Sequence, residues 1–251
     1  MYKLDWSILL QQEPGGTGTY LNYLVVGLGW TLVTALAAWV MALIIGAVVG
    51  TLRTTTMPWV VRFGNGYVEI FRNIPLIVQM FLWFFVFPEL LPTELGDAIK
   101  QMPPPWSSYI PAVLCLGFFT SVRVAEQVRA GINSLPRGQR FAGTAMGLTQ
   151  AQTYRYVLLP QAFRIILPPL TSEFMNVIKN SSVALTIGLL ELTGRARAMQ
   201  EFSFRVFEAF TAATVIYLLT NLVVVLAMRA LEKSVRVPGL IAAGGAPQAG
   251  H

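Results

Sequence analysis

Cysteine and histidine are almost absent from this chain of 251 residues. The one cysteine, Cys115, lies in an apolar run, and the one histidine, His251, ends a Gly/Ala/Pro-rich tail at 238–251 that we expect to be disordered and cytoplasmic. Disulfide bonds therefore play no part in the fold, and a metal site built from histidine and cysteine is excluded. A membrane-embedded enzyme, which needs a nucleophile with its base or a metal constellation, finds little support here.

Charge is scarce as well. Only 12% of the residues are charged while 55% are hydrophobic, and the mean hydropathy is +0.59. Soluble domains are about 25% charged. Several apolar stretches approach the roughly 20 residues that span a bilayer. We therefore predict an all-α integral membrane protein, and the alternative is a large buried helical core.

Two sequence signals are missing. The first nineteen residues contain Asp5 and Glu13 but no apolar stretch typical of a cleavable signal peptide, so 1–19 is predicted to be an external N-terminal segment. No G-x-x-x-x-G-K-[ST] phosphate loop occurs, so the chain is not itself an ATPase. The net charge of +6 comes from lysines and arginines that bracket apolar runs, which favours lipid over nucleic acid as partner.

Apolar runs predict about five transmembrane helices within a membrane domain at 20–237. Pro75 should kink the second span, because proline lacks an amide donor. Pro168 and Pro169 should open the fourth, since proline suits a first helical turn. The predicted spans are 21–50, 59–88, 109–130, 168–190 and 208–228.

Lysine and arginine bias predicts the orientation, with the N-terminus outside and the C-terminus in the cytoplasm of a bacterial inner membrane. Eight such residues then lie inside and five outside. The inside set is Arg53, Arg62, Arg137, Arg140, Arg155, Arg229, Lys233 and Arg236, and the outside set is Lys3, Lys100, Arg195, Arg197 and Arg205. The last three of these fit badly.

The segment at 133–161, between the third and fourth spans, predicts a helix, a glycine turn and a second helix. Gly147 should end the first helix. Thr149 and Gln152 form a capping box for the second, which Pro160 should close. The exposed set of Phe141, Met146, Tyr154 and Tyr156 suits a protein interface, although an amphipathic helix on lipid headgroups is an equal alternative.

Motifs in this segment resemble a known family. Gly138-Gln139-x-x-Ala142-x-x-Ala145-Met146-Gly147 followed by Leu158-Leu159-Pro160-Gln161-Ala162 is similar to the "EAA" loop of bacterial ABC importer permeases. The phrases Glu69 to Leu76, Ser134 to Gln139 and Lys179 to Ser182 are typical of the polar amino-acid subfamily, closest to glutamate/aspartate importer permeases.

The resemblance implies a type I ABC importer permease fold in which this loop is a coupling helix. It implies ATP-binding subunits that bind ATP and Mg, with no cofactor on this chain. It also implies an external substrate-binding protein and a second, different permease chain. The ATPase contacts expected on this basis are Gln139, Phe141, Ala142, Gly147, Tyr154 and Pro160. Phe141 stands where the family has glutamate, so it should dock by burying apolar surface.

Ionisable residues at membrane depth predict a substrate path. The strongest cluster forms one stripe of roughly 120° on the fourth span and consists of Ser172, Glu173, Asn176, Lys179 and Asn180. Glu69 and Arg72, beside the Pro75 break, either join this path or pair with each other, and Gln79 one turn later is expected to face it. The stripe has one alternative role, which is packing against another polypeptide.

A third cluster, Arg123, Glu126 and Arg129, is spaced i,i+3 and is predicted to form a salt-bridge ladder within its own helix. The function predicted overall is ATP-driven amino-acid import, with glutamate or aspartate as substrate. The alternative is a secondary amino-acid transporter driven by an ion gradient. Such transporters are commonly built from internal repeats, and no repeat relates the two halves of this sequence.

Overall fold

The computed structural model describes residues 4–16 and 18–235. Lys3, Arg236, His251 and the predicted tail at 238–251 lie outside the described residues. The described part is almost entirely helical, which confirms the all-α prediction. Ten α-helices follow one another as α1 Tyr20–Leu52, α2 Pro58–Asn73, α3 Leu76–Phe81, α4 Thr93–Lys100, α5 Trp106–Asn133, α6 Arg137–Ala145, α7 Gln150–Thr153, α8 Leu159–Asn180, α9 Leu192–Ser203 and α10 Val206–Val235.

Three of these helices, α1, α5 and α10, are long and apolar enough to cross a membrane. A fourth crossing is possible if α2 and the segment Leu76–Leu90 count as one broken span. The helix α8 has 22 residues but carries Arg164, Glu173 and Lys179, and it does not reach the same apolarity. The predicted count of five spans is therefore not confirmed.

The second predicted span is broken rather than kinked. Ile74 is extended at φ −99° and ψ 125°, and the two helical pieces meet at 100°. The break lies where Pro75 was predicted to act, because proline has no amide hydrogen to continue the helix. The break frees backbone carbonyls that need new donors.

The helix α5 lies at the centre and packs along α1. The contacting face of α1 consists of small buried residues at helical spacing, namely Ala35, Ala38, Ala42, Gly46 and Gly50. Small side chains let two helix backbones approach closely, which is the usual basis of helix association in a membrane. This pair is the frame on which the remaining helices are placed.

The prolines of the fourth predicted span act differently from expectation. A π-helical turn at Tyr154–Leu158 joins α7 to α8, so Pro160 lies in the first turn of α8 and closes nothing. Pro168 and Pro169 lie inside α8 instead of opening it. For Pro160, a proline in a first turn removes no helical hydrogen bond, and the π-helical turn before it lets the chain pass from α7 into α8. A 3-10 turn at Ser181–Ile187 follows Asn180.

The N-terminal segment packs at the end of α1 opposite the segment 133–161, which contains α6 and α7 and is called the α6–α7 loop below. The backbone N–H of Asp5 donates to Glu208 Oε1 at 2.7 Å, and Arg205 lies 3.6 Å from the Asp5 carboxylate. The Ser7 hydroxyl donates to the same carboxylate and holds the pKa of Asp5 below its usual range. These contacts tie the segment to the start of α10.

Candidate functional site

The polar stripe of α8 lies on the surface of the chain. Ser172 and Lys179 are exposed, and Glu173, Asn176 and Asn180 are half-buried. Val177 and Ile178, on the other side of α8, are fully buried in the core. The five predicted residues therefore share one face, which is open to a partner or to a path.

Glu173 connects this stripe to α5. Its Oε2 lies 3.6 Å from Arg123 Nη1, and its side chain is only 14% exposed. That oxygen has no hydrogen-bond partner among the described residues. The Arg123 guanidinium also lies over the Phe119 ring, 5.1 Å from its centroid. One carboxylate oxygen is thus held near a cation yet available to a further donor.

The predicted ladder of Arg123, Glu126 and Arg129 is wrong. Glu126 pairs instead with Arg53 at the end of α1, with Arg53 Nη2 3.1 Å from Glu126 Oε1. The Arg53 side chain is 5% exposed, and its Nε donates to Asn65 Oδ1 at 2.9 Å. The guanidinium of Arg53 is buried, so leaving it without a carboxylate would be costly. Arg123 and Arg129 on α5 are more exposed and can be solvated, so Glu126 pairs with Arg53 across the helices.

Two adjoining cavities form one polar cleft between α2, α5 and α8. One has about 440 Å³ and includes Arg53, Glu69, Arg72, Glu126 and Arg129 in its lining. The other has about 380 Å³ and includes Arg72, Arg123, Glu126 and Glu173. Arg72 and Glu126 line both cavities. Glu69 and Arg72 face this polar cleft, and no ion pair between them occurs among the described residues.

Four arginines and three glutamates line the polar cleft, which leaves one positive charge in excess. Asn65, Asn73 and Gln127 add neutral hydrogen-bonding groups. The carboxylates of an amino acid need cationic hydrogen-bond donors, and its ammonium group needs anionic acceptors, at close range. The polar cleft is therefore chemically suited to bind a small zwitterionic or anionic ligand.

Gln79 does not face the polar cleft as predicted. Its side chain is 2% exposed. Its Nε2 donates to the backbone oxygens of Phe71 at 2.8 Å and Ile74 at 3.0 Å. These carbonyls lie at the break between α2 and α3. The side chain thus replaces the amide donors that the break removes, which is a structural role.

The α6–α7 loop has the predicted local geometry. Gly147 adopts φ 76°, a left-handed conformation that glycine enters at little cost. The capping box of Thr149 with Gln152 is present. Phe141 and Met146 are each 70% exposed. Ala142, Gly147 and Pro160 are also exposed, whereas Gln139 is half-buried.

Tyr154 differs from the other predicted coupling residues because it is buried, at 7% exposure. Its hydroxyl donates to the Thr54 carbonyl oxygen at 2.7 Å and accepts from Arg140 Nη2 at 2.7 Å. The Arg140 guanidinium lies 5.4 Å from the centre of the Tyr154 ring. Tyr154 therefore binds the α6–α7 loop to the end of α1, and its side chain is too buried to contact an ATPase subunit.

Sequence reasoning missed three residues of these two regions. The sequence shows Arg53 only as a positive charge after the first span, and it gives no signal for Thr54 or Asn65. In the structure Arg53 binds Asn65 and Glu126, and Thr54 binds Tyr154. Their partners Glu126 and Tyr154 are 73 and 100 residues away along the chain. No local pattern in the sequence reports such a pairing.

A broken membrane helix beside a polar cleft, with an exposed helical loop at one end, defines a membrane transport subunit. The model of a family described as "binding-protein-dependent transport system inner membrane component" matches residues 42–237. The chain belongs to this family. The predicted family and the multi-pass inner-membrane assignment are thereby confirmed.

Known proteins agree with this assignment. The glutamate/aspartate import permease protein GltJ of Escherichia coli strains K12 and O6:H1 is 48% identical over 236 residues, covering 94% of this chain and 96% of the relative. The glutamate/aspartate import permease protein GltK of Escherichia coli O6:H1 is 29% identical, covering 88% and 94%. A crystal structure of an amino acid ABC transporter with histidines aligns with a TM-score of 0.72 at 28% identity, covering 86% of this chain and 95% of that one.

Proposed function

We propose that this chain is a permease subunit of an ATP-driven importer of glutamate and aspartate. The observation that carries the proposal is the 48% identity, over nearly the full length of both chains, to a permease named for those substrates. The excess of arginine in the polar cleft supports it, since an acidic amino acid brings one carboxylate more than a neutral one.

In this proposal the substrate passes along the polar cleft and the stripe of α8. Arg72 and Lys179 offer cations for the two carboxylates, and the half-buried Glu173 accepts from the α-ammonium group. Both cations are exposed, so both are accessible to a substrate that arrives from solution. The stripe faces away from the core of this chain, which supports a path between this permease and a second one.

The second permease is proposed to be a different chain. One organism, Escherichia coli O6:H1, has two different permeases with the same substrate name, and both match this chain. The other partners are an external substrate-binding protein and two ATP-binding subunits, which hold the ATP and Mg. The N-terminus lies outside and the α6–α7 loop lies in the cytoplasm.

Coupling to the ATPase is proposed to run through Phe141 and Met146 of the α6–α7 loop. Both side chains are largely exposed, and large apolar residues are enriched in the buried centres of interfaces. When ATP binding and hydrolysis close and open the ATPase dimer, the loops move with it. The spans then alternate between outward-open and inward-open states.

The test is ATP-dependent glutamate uptake by the reconstituted complex with its binding protein. Gly147→Trp places a bulky side chain beside the docking surface, and we expect loss of uptake and of substrate-stimulated ATP hydrolysis. Gly147→Asn is the matched control, because asparagine tolerates the left-handed conformation without adding the bulk. It should retain most of the activity.

Unchanged uptake in the Trp variant would contradict the coupling role of the loop. Uptake that continues without ATP but collapses with the ion gradient would instead establish a secondary transporter. Competition by unlabelled glutamine or arginine as strong as that by aspartate would overturn the proposed substrate class while leaving the coupling intact.

A further inference from the structure

A groove separate from the polar cleft opens between the last turns of α1 and the first turns of α8. Its volume is about 790 Å³, within the range of roughly 300–1,000 Å³ that small-ligand sites occupy. Apolar side chains dominate the lining, among them Val48, Leu52, Leu159 and Phe163. Such a groove on a membrane helix pair is a place where lipid tails can pack.

Two cations interrupt this apolar lining, Arg155 and Arg164. No carboxylate lines the groove, and neither arginine forms an ion pair within the described part of the chain. The Arg155 guanidinium lies over the ring of Tyr156, 5.6 Å from its centroid. Guanidinium groups bind phosphate through paired hydrogen bonds, and basic pockets between membrane helices bind anionic headgroups.

An aliphatic track leads away from the groove along α1. Every third or fourth residue is a valine, leucine or isoleucine that is at least half exposed, and the series is Val33, Leu36, Val40, Ile44 and Val48. At 1.5 Å per residue the track is about 22 Å long, which exceeds the roughly 15 Å of one leaflet's hydrocarbon. An acyl chain that starts in the groove therefore has continuous apolar surface to follow.

We propose that the groove binds one anionic phospholipid, with its phosphate between Arg155 and Arg164 and one acyl chain along the aliphatic track of α1. Charge complementarity selects an anionic lipid over a zwitterionic one, because the groove has two cations and no acid. The site does not depend on the transported substrate. It lies in the cytoplasmic leaflet if the proposed orientation holds.

The first experiment measures lipid retention by native mass spectrometry of the purified complex. The probes are palmitoyl-oleoyl phosphatidylglycerol and phosphatidylcholine with the same chains. We expect preferential retention of phosphatidylglycerol, and at least tenfold weaker apparent affinity in Arg155→Gln/Arg164→Gln. The matched control is Arg62→Gln/Arg229→Gln, which removes two exposed arginines that do not line the groove and should retain the lipid.

Equal retention by the two double variants, or equal retention of the two lipids by the unmodified complex, would overturn the site. A second experiment keeps every charge and places a photo-crosslinking amino acid at Ala47, an exposed lining residue. A lipid adduct supports the proposal. An adduct to the second permease, or none to lipid, refutes it, and neither result affects the proposed import function.

Discussion

The amide of Gln79 shows how a single residue makes the broken second span compatible with a membrane. Its Nε2 donates to two backbone oxygens at the end of α2, those of Phe71 and Ile74, just before the break. With no water in the bilayer core, an unsatisfied carbonyl is costly, and irregular backbone persists only where other groups satisfy it. Gln79 supplies this donor from a fully enclosed position, so the break is a stable feature of the fold.

We expect Gln79→Met to destabilise the complex by about 1–3 kcal/mol, because it preserves volume but leaves both carbonyls without this donor. For a chain of this size that corresponds to a lower melting temperature by roughly 2–12 °C. The melting temperature of the purified complex would check this. Gln101→Met, at an exposed position after α4, is the control and should melt like the unmodified protein. Equal melting of both variants would show that the carbonyls find other donors.

At the scale of elements, the α6–α7 loop is held to α1 by one hydrogen-bonded group. The Tyr154 hydroxyl contacts Thr54 and Arg140 at the point where α1 ends. Under the proposed function, movement of the loop would reach α1 through this contact. The neighbouring Arg53 belongs to the polar cleft through Glu126. The loop and the cleft are therefore joined through two consecutive residues, Arg53 and Thr54.

Tyr154→Phe should weaken this connection without unfolding the loop, because the ring and its contact with Arg140 remain. We expect the number of glutamate molecules imported per ATP to fall roughly tenfold, within the range of typical coupling energies. The measurement is parallel uptake and hydrolysis in proteoliposomes. Tyr156→Phe removes a hydroxyl from an exposed neighbour and should leave the ratio unchanged. A ratio unaffected by Tyr154→Phe would mean that coupling bypasses α1.

The element scale also shows what local reasoning can achieve. The Gly147 turn and the Thr149 capping box were predicted correctly, and so was the position of the Pro75 distortion, although it is a break and not a kink. Each depends on residues within one turn of each other. The salt-bridge ladder on α5 and the helix start at Pro168 were wrong. Whether a glutamate pairs with an arginine on its own helix or on another helix depends on how the helices pack. The spacing of residues along one helix carries no information on that packing.

At the scale of the whole molecule, the exposed polar stripe of α8 is the surface that we expect a second permease to cover. Ser172 and Lys179 lie on the surface, and a lipid-facing stripe of this polarity is costly. The remaining exposed face of α10 is aliphatic, with Leu218, Leu219, Leu222 and Val223 all more than half exposed. The two faces thus differ in polarity, and under the proposed function the α8 stripe would line the path beside a partner and the α10 face would contact lipid.

Cysteine labelling distinguishes these environments. We expect Ser172→Cys and Lys179→Cys to react readily with a maleimide in the isolated, detergent-solubilised chain and at least several-fold more slowly once the second permease is bound. Leu219→Cys on α10 is the control and should react alike in both samples. The native Cys115 is fully buried and contributes little background. Equal reactivity of all three positions in both samples would remove the stripe from the interface.

The sequence by itself determined the class of this protein. Four features define the class: the lengths of the apolar runs, the scarcity of charge, the missing phosphate loop and the family motifs. Each is read from composition or from a short stretch of sequence, so it can be recognised without knowing which helices are neighbours. The tertiary structure alone decided the partners of Arg53, Glu126, Gln79 and Tyr154. Buried polar groups must find a donor or acceptor wherever packing brings one, and for Tyr154 that partner is 100 residues away.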